Sequence, residues 1–262
     1  MDLDLAEQYR TSAKLDARRN LHLKYGQGGG IASLADELDI APGARVLEVG
    51  CGPGRFWPPL AARLPADLAI TLTDLSPGMV DEALATVRGV GRWTDVRGQV
   101  ADVCALPYPD GSFDVVLALY MLYHAPDPDL AVREIARVLK PGGRLIAATN
   151  ADGNLGSLFE LRERAFPEAG REKMSDSFTL ETGEPIVRRH FAEVTVARAR
   201  DELRVTDPAD IVAYITSSPP GDTAGYEALS RLARLADEAF AAAGGVFVVG
   251  RDTGYIVGRK RR

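Results

Sequence analysis

The sequence is poor in the features that mark secreted, membrane and repeat proteins. It contains only two cysteines, Cys51 and Cys104, which show no pairing pattern. It also has no apolar run of about 18 residues, no signal peptide and no internal repeat. These absences favour a protein of the reducing cytoplasm, with no membrane partner.

The sequence also lacks an excess of positive charge. Lysine and arginine number 31 against 37 aspartates and glutamates, so the net charge is −6, and the charges are interspersed. The basic run Arg259–Arg262 is short and is expected to be solvated. A nucleic-acid partner is therefore not expected. A length of 262 residues with 46% hydrophobic content suits one domain with a sizeable core and some additions.

What the chain does contain is a glycine-rich turn directly after the apolar run Val46–Val49. Gly50, Gly52 and Gly54 are spaced two apart, and glycine lets a backbone approach a ligand closely. The dinucleotide pattern Gly-x-Gly-x-x-Gly lacks its third glycine here, because position 55 is arginine. The pattern predicts a strand, a tight turn against a ligand without phosphates, and then a helix.

An acidic residue ends the next predicted strand, residues 69–73. Asp74 follows Gly54 by 20 positions (74 − 54), and its carboxylate can accept two hydrogen bonds from a ribose diol. The alternative is an ordinary surface turn. Ser76 and Pro77 then have the residue types of a helix N-cap and first helical position.

Two further strands with a characteristic connection follow. Residues 96–100 form a short predicted strand that leads to Asp102, and the string Gly111-Ser112-Phe113-Asp114 leads into the strand 115–119. Asp127-Pro128 begins a helix whose apolar residues recur at helical spacing. Short apolar strands that alternate with amphipathic helices predict an α/β fold with a doubly wound parallel sheet. A ligand then lies outside the carboxyl ends of the strands.

In this order and at this spacing, the motifs resemble those of the class I S-adenosylmethionine-dependent methyltransferases, in the type 11 group that includes ubiquinone and menaquinone enzymes. The resemblance covers roughly residues 40–150. It implies S-adenosylmethionine as cofactor and S-adenosylhomocysteine as product. It also implies a Rossmann-like seven-stranded sheet with an antiparallel last strand, completed by residues 194–199 and 255–259. The cofactor-binding residues that it implies are Glu48, Gly50, Cys51, Gly52, Gly54, Asp74, Leu75, Met79, Asp102, Val103 and Leu119.

The resemblance also implies roles for several of these residues. Glu48 and the carbonyl near Leu119 lie at the methionine ammonium, and Met79 covers one face of the adenine. Asp102 accepts from the adenine amino group, and the Val103 N–H meets a ring nitrogen. Asp74 suits the ribose of S-adenosylmethionine or of NAD equally, but nicotinamide dehydrogenases have no reason to carry the Gly-Ser-Phe-Asp string.

The N-terminal part, residues 1–40, is expected to be a helical lid with Gly28, Gly29 and Gly30 as its hinge. The alternative is an ordinary packed helix and loop. Residues 41–262 form the methyltransferase domain, with 150–193 as an insertion on the substrate side. The candidates for that side are Tyr9, His22, Tyr25, Tyr120, Tyr123 and Asn150.

One residue, His124, is the candidate general base, because it follows the end of the fourth strand. The alternative is a structural histidine. A base is needed only if the acceptor loses a proton before or during attack.

Further absences narrow the acceptor. After the fourth strand there is no Asn/Asp-Pro-Pro-aromatic string and no Pro-Cys, which nucleic-acid methyltransferases use, and residues 115–126 contain no carboxylate for a metal. We therefore expect N- or O-methylation of a small molecule, a specialised metabolite, without a metal, by a monomer or homodimer. Two other classes stay open: a protein of this fold that binds the cofactor without transfer, as a cyclase or regulator, and a nicotinamide oxidoreductase.

Overall fold

The structure is a computed structural model that describes residues 13–26, 38–170 and 174–262. Its centre is a seven-stranded sheet in the order β3-β2-β1-β4-β5-β7-β6. All neighbouring strands are parallel except β7, which runs antiparallel to both β5 and β6. This confirms the doubly wound sheet and its antiparallel last strand. The strands are β1 Arg45–Val49, β2 Ala69–Asp74, β3 Asp95–Val100, β4 Phe113–Leu119, β5 Leu139–Asn150, β6 Glu193–Val205 and β7 Phe247–Arg259.

The helices cover both faces of the sheet. They are α1 Ala13–Tyr25, α2 Pro77–Gly89, α3 Pro128–Val138, α4 Gly156–Ala165, α5 Leu180–His190, α6 Pro208–Ile215 and α7 Tyr226–Ala242. One apolar core places Ile135 of α3 and Val187 of α5 against one face of β4 and β5. A second core places Trp57 and Ala83 against the other face. Because the central strands are covered on both sides, they read as continuous apolar runs.

The helices begin where their capping residues predict. The side chains of Ser76, Asp127 and Asp207 accept hydrogen bonds from the first turns of α2, α3 and α6, and each helix has proline near its start. These caps matter for the site, because α2 and α3 each begin just beyond the carboxyl end of a strand.

The prediction of a helix directly after the glycine turn is wrong. Residues 51–64 form turns and a single short 3₁₀ helix, Pro58–Leu60. The physical reason is the pair Pro58-Pro59: neither residue has an N–H, so the i→i−4 bonds to the carbonyls of Gly54 and Arg55 cannot form. The segment is held by its side chains instead, since Trp57 and Leu60 are fully buried.

The last two strands are longer than the predicted residues 194–199 and 255–259. The preceding strand, β5, begins at Leu139, so Pro141-Gly142-Gly143 lies inside an irregular strand. β6 and β7 pair over 13 residues each, and their pairing continues past Asn150, where β5 ends. This extension projects beyond the carboxyl edge of the parallel strands.

A third apolar core surrounds that extension. Leu203 and Val249 of the extended strands pack with α4, α6 and α7, and Leu21 of α1 is buried in the same cluster. Lys24 and Tyr25 of α1 both contact Asp210 of α6. Helix α1 is therefore packed against the C-terminal part of the chain, while Tyr9 and the glycine run 28–30 lie outside the described residues.

Candidate active site

A cavity of about 890 Å³ opens at the carboxyl edge of the parallel strands. The ends of β1, β2, β4 and β5 form its floor, and the extended β6 and β7 together with α1 form its far wall. This is the position that the topology of an open α/β sheet predicts for a ligand. The cavity lies near the upper end of the ~300–1,000 Å³ range of small-molecule sites, so it has room for more than one small ligand.

The three glycines of the turn have three different neighbours. All have positive φ, at 58°, 50° and 72° for Gly50, Gly52 and Gly54. A Cβ on Gly50 would meet the Met121 side chain at 2.7 Å, and one on Gly54 would meet the backbone of Ala83 in α2 at 3.0 Å. A Cβ on Gly52 would meet no protein atom within 4 Å, because that position faces the cavity. Gly52 is thus the glycine that leaves room for a ligand.

Asp74 fixes the turn from the neighbouring strand. Its carboxylate accepts from the backbone N–H of Gly52 at 3.0 Å and from that of Ser76 at 2.9 Å. Burial raises the pKa of this carboxyl, while those backbone hydrogen bonds act in the opposite direction. A carboxylate has about four acceptor positions, so these bonds leave capacity for a diol in the cavity.

Glu48 is the most deeply buried acid of the site, only 2% exposed at the end of β1. Desolvation raises its pKa to about 8, although its Oε2 accepts a 2.7 Å hydrogen bond from the Trp57 indole N–H. A buried carboxyl of this kind is ionised at neutral pH only if a cation is placed beside it. The site therefore suits a ligand that brings an ammonium or another positive charge to this point.

A third acid and an apolar surface lie at the ends of β2 and β3. Asp102 is exposed to the cavity, and its Oδ1 accepts from the Cys104 backbone N–H at 2.8 Å. Met79 and Val103 are buried beside it, and Leu75 is 55% exposed. An apolar slot with a carboxylate at its edge can hold a flat heteroaromatic ring that has an amino group.

Aromatic and imidazole side chains follow β4 on the other side of the cavity. Tyr120 has a left-handed backbone, with φ at 55°, and its hydroxyl hydrogen-bonds to Thr253 of β7. A non-glycine residue in this conformation stores strain of about 1–3 kcal/mol and needs support from its surroundings. Here the Tyr120 N–H donates to the Ala148 carbonyl at 2.8 Å.

The rings of Tyr123 and His124 stand edge to face, with centroids 4.6 Å apart. Burial lowers the pKa of His124 to about 4, and the positive charge of Arg18 adds to this effect. The imidazole is therefore neutral at physiological pH and is a weak base in this arrangement. Cys51, also at the cavity, has its pKa raised by burial, so its thiol stays protonated and is unreactive.

Comparisons with known proteins agree with this architecture. Residues 47–147 match a family model described as a methyltransferase domain. The chain is 40% identical over 115 residues to the methyltransferase GfsG of Streptomyces halstedii, a match that covers 44% of this chain and 41% of that protein. It is 41% identical over 116 residues to a ubiquinone biosynthesis O-methyltransferase of Xanthomonas euvesicatoria, covering 44% and 46% respectively. The matched region thus spans less than half the length of these relatives.

Two solved structures show the same fold over most of the chain. A putative methyltransferase of Bacillus halodurans superposes with a TM-score of 0.64 at 17% identity, covering 90% of this chain and all of that one. The [4+2]-cyclase SpnF superposes with a TM-score of 0.60 at 20% identity, covering 98% and 96%.

Residues 47–147 of this chain form a methyltransferase domain, and the sheet around them has the class I, Rossmann-like arrangement. The cofactor of this domain is S-adenosylmethionine, as the sequence motifs predicted. Three features of the cavity suit this cofactor. Gly52 leaves space beside the backbone, the Asp74 carboxylate can accept hydrogen bonds from a ribose, and the buried Glu48 carboxyl would be ionised by a neighbouring cation. Asp102 with Met79 would hold the adenine in this methyltransferase domain.

Most of the cofactor residues expected from sequence line the cavity. They are Glu48, Gly50, Cys51, Gly52, Asp74, Leu75, Met79, Asp102, Val103 and Leu119. Gly54 does not, because its α-carbon faces α2, where only glycine allows the close approach to Ala83. Its contribution to the turn is close packing.

Only some of the residues expected on the substrate side line the cavity. Tyr120, Tyr123 and His124 line the cavity, whereas Tyr25, His22 and Asn150 do not. The Tyr25 hydroxyl bonds to Asp210 at 2.6 Å, and His22 packs its ring edgewise against Tyr214 with centroids 6.2 Å apart. Burial lowers the pKa of His22 to about 4. The side-chain Oδ1 of Asn150 accepts from the side-chain amide of Asn154 at 3.1 Å, so this residue organises the turn after β5.

Sequence reasoning missed the far wall of the cavity. Arg18 and Arg19 of α1, residues 197–199 of β6 and residues 253–255 of β7 all line it. They come from both ends of the chain, and no local motif marks them. Among the described residues, no group of three or more His, Cys, Asp or Glu side chains could hold a metal ion. No helix in the described part of the chain is both long and apolar enough to cross a bilayer.

Proposed function

We propose that this protein transfers a methyl group from S-adenosylmethionine to a nitrogen or oxygen atom of a small molecule, a specialised metabolite. The observation that best supports this proposal is that a single cavity is lined by two chemically different groups of residues. One half contains Gly52 and the three carboxylates of Glu48, Asp74 and Asp102, and the other contains the groups that follow β4, with His124 among them. We call these the cofactor half and the acceptor half.

S-adenosylmethionine, when bound, supplies a methyl group on a sulfonium, and its displacement leaves a neutral thioether. The task of this chain is then alignment and the exclusion of water. Asp74 holds the ribose through a carboxylate that two backbone N–H groups already orient. The strained Tyr120 lines the acceptor half, and the hydrogen bond between its hydroxyl and Thr253 restrains the side chain.

His124 is the proposed proton acceptor for substrates that must lose a proton. It is neutral at physiological pH and faces the cavity, which the role requires. Its low pKa makes it a weak base, so it suits acceptors that are already acidic or that carry a free amine. It is too weak a base to deprotonate an aliphatic alcohol.

Arg18 and Arg19 support the proposal that the N-terminal helix acts as a lid. They place α1 at the cavity wall, and Arg55 of the segment after the glycine turn forms an ion pair with Asp16 of α1. The described part of the helix thus touches the cofactor half directly. Closing it would cover both ligands.

The test of transfer is the formation of S-adenosylhomocysteine, measured by mass spectrometry with a panel of phenols, carboxylic acids and amines. We expect S-adenosylhomocysteine to form with at least one class of acceptor, and the mass of that acceptor to increase by one methyl group. Tight cofactor binding without product from any class would favour the alternative of a protein that binds the cofactor without transfer. SpnF, whose name describes a cyclase, shows that this fold also serves other chemistry. Binding of NADH in place of S-adenosylmethionine would favour the oxidoreductase alternative.

A further inference from the structure

The extension of β6 and β7 presents one of its two faces to the cavity. Four pairs of opposite residues lie on this face, because side chains two positions apart on a strand point the same way and opposite residues share a side. Along the extension they are Ala197 with Tyr255, Ala199 with Thr253, Asp201 with Arg251, and Leu203 with Val249. Both alanines line the cavity, and so do their partners Thr253 and Tyr255.

Larger side chains fill this face at its two ends and leave the middle open. Leu203 and Val249 are fully buried in the third apolar core, and Tyr255 packs against the second core. Between these ends Ala199 is exposed and Ala197 is partly exposed. The two methyl groups therefore border the open space of the cavity.

Strand stability does not account for alanine at these two positions. Alanine is depleted in strands, whose surfaces favour β-branched and aromatic residues. The residues opposite the alanines, Thr253 and Tyr255, have these favoured types. Because a larger residue at position 197 or 199 would cover more of its partner, the small side chains indicate a requirement for space.

The other face of the extension packs closely against α5. A Cβ on Gly254 would meet the side chain of Leu180 at 2.9 Å. Arg198, opposite this glycine, contacts Glu181 of α5 at 2.8 Å and Asp252 of β7 at 2.6 Å. The wall therefore cannot retreat toward α5 when a side chain on the cavity face becomes larger, and the added atoms must enter the cavity.

The position of the alanines is in the acceptor half. Thr253, which lies opposite Ala199, forms a hydrogen bond with the hydroxyl of Tyr120. The other alanine is two positions earlier on the same face. In the sheet order, β6 lies four strand positions from β1 and five from β2, the strands that carry Glu48 and Asp74. A larger side chain on this part of β6 would thus take space from the acceptor and leave the cofactor contacts intact.

We propose that Ala197 and Ala199 are specificity-determining residues, whose small side chains let the site take an acceptor with a bulky apolar body of several fused rings. The inference rests on the proposed function and names its substrate class. Ring and thioether surface from Tyr123, Tyr255 and Met121 lines the same cavity. A single ring would bury only part of this surface, whereas several fused rings bury more apolar area and bind more tightly.

The test compares two fluorescent probes that carry the same hydroxyl group on ring systems of different size. 2-Naphthol has two fused rings, and 1-hydroxypyrene has four. Both are titrated into the protein saturated with S-adenosylhomocysteine. The variants are Ala197→Leu and Ala199→Leu, and the matched control is Ala241→Leu, which makes the same change at an exposed alanine of α7 outside the cavity.

We expect the wild type to bind 1-hydroxypyrene more tightly than 2-naphthol, because the larger ring system buries more apolar area. Each leucine variant should weaken 1-hydroxypyrene about tenfold or more, since the added atoms overlap the larger ring system, and should leave 2-naphthol within about threefold. Ala241→Leu should bind both probes as the wild type does. Ala199→Gly, which enlarges the space, should keep its affinity for 1-hydroxypyrene within about threefold of the wild type.

Unchanged affinity of either leucine variant for 1-hydroxypyrene would overturn the proposal, as would an equal loss of 2-naphthol. A wild type that prefers the smaller probe, or that binds neither probe, would overturn it too. If Ala199→Gly loses as much affinity for 1-hydroxypyrene as Ala199→Leu does, the effect comes from disruption of the strand and the proposal is also wrong.

Affinity for S-adenosylhomocysteine, measured in the same samples, shows that each variant is folded. It also separates this proposal from the proposed function. If the wild type fails to bind S-adenosylhomocysteine, the proposed function falls. Normal cofactor binding in all variants, together with probe binding that does not depend on ring size, removes only the role of the two alanines.

Discussion

The two halves of the cavity are built in different ways. The cofactor half consists of strand ends and one turn whose side chains are anchored by backbone hydrogen bonds, as Asp74 is by Gly52 and Ser76. The acceptor half is assembled from α1, the residues after β4 and the extension of β6 and β7. The family match, residues 47–147, contains the first half but excludes α1, β6 and β7. A common reaction can therefore be kept by one part of the molecule while the acceptor is chosen by another.

The largest expected effect concerns the backbone of the cofactor half. Gly52→Val should abolish binding of S-adenosylhomocysteine, because its φ of 50° disfavours a β-branched residue and its side chain would occupy ligand space. Gly91→Val is the matched control: Gly91 also has positive φ, at 69°, and open space around it, but it lies away from the cavity. Calorimetry should show binding lost in the first variant and kept in the second. Equal behaviour of the two would mean that only backbone strain is being measured.

The next largest effect is expected at Asp74, the proposed ribose acceptor. Asp74→Ala should weaken the cofactor by about 1.5–3 kcal/mol, the value of a charge-assisted hydrogen bond. The same change removes the partner of the Gly52 N–H, so some of the loss will come from a looser turn. Asp74→Asn keeps an acceptor oxygen and should lose less. An unaltered affinity in a folded Asp74→Ala protein would contradict the ribose assignment.

A pH experiment sharpens the role of Glu48. In the ligand-free protein burial raises its pKa to about 8, so near neutral pH the carboxyl is mostly protonated. A cofactor ammonium favours the ionised form, and binding should therefore release a proton. Affinity should rise as the pH rises through the neutral range toward about 8 and then level off. Calorimetry in buffers of different ionisation enthalpy measures this release.

Glu48→Gln is the control for the proton release, since glutamine cannot ionise. It should bind more weakly and lose the part of the proton release that belongs to residue 48. The cofactor's own amine titrates in both proteins and cancels in the comparison. A wild type and variant with the same proton uptake or release would show that Glu48 does not ionise on binding.

The adenine end should show a smaller effect. Asp102→Asn should reduce cofactor affinity by less than Asp74→Ala, because the amide oxygen can still accept from an amino group. Asp110→Asn removes the same charge from the following loop, where the carboxylate contacts Arg137 at 2.9 Å and lies outside the cavity. In fluorescence competition, the cofactor affinity of Asp102→Asn should be lower than that of the wild type, and the affinity of Asp110→Asn should equal it. The reverse order would place the adenine elsewhere.

The smallest expected effect concerns the proposed lid. Asp16→Ala breaks the ion pair between α1 and Arg55, and an exposed pair is worth about 0.2–1 kcal/mol. Cofactor dissociation should become a few-fold faster, as stopped-flow displacement can measure. Lys24→Ala breaks the contact of α1 with Asp210, which lies away from the cavity, and should leave that rate unchanged. If both variants behave alike, α1 is ordinary packing.

The difference between the halves also explains what could be predicted from the sequence. Asp74 and Asp102 lie at or just beyond the ends of single strands, and Ser76 and Asp127 cap helices by accepting from the backbone N–H three positions further on. Such local geometry depends on neighbouring residues, so the alternation of strands and helices and the positions of these acidic residues could be predicted from the chain, whereas their cofactor roles came from the family resemblance.

The remaining features depend on distant contacts. Arg18 reaches the cavity because Leu21 anchors α1 in the core around β6 and β7. The same packing turns His22 and Tyr25 toward Tyr214 and Asp210 and away from the cavity. The length of the β6–β7 extension follows from its packing against α4, α6 and α7, which no period in the sequence reports. The absent helix after the glycine turn is a local feature, and Pro58-Pro59 could have predicted it.

Calorimetric titration of the wild-type protein with S-adenosylhomocysteine tests the account most directly, because every role assigned to the cavity depends on this ligand. We expect one site per chain, with parallel titrations that show no binding of NADH. A wild type that binds NADH, or that binds neither ligand, would contradict the account.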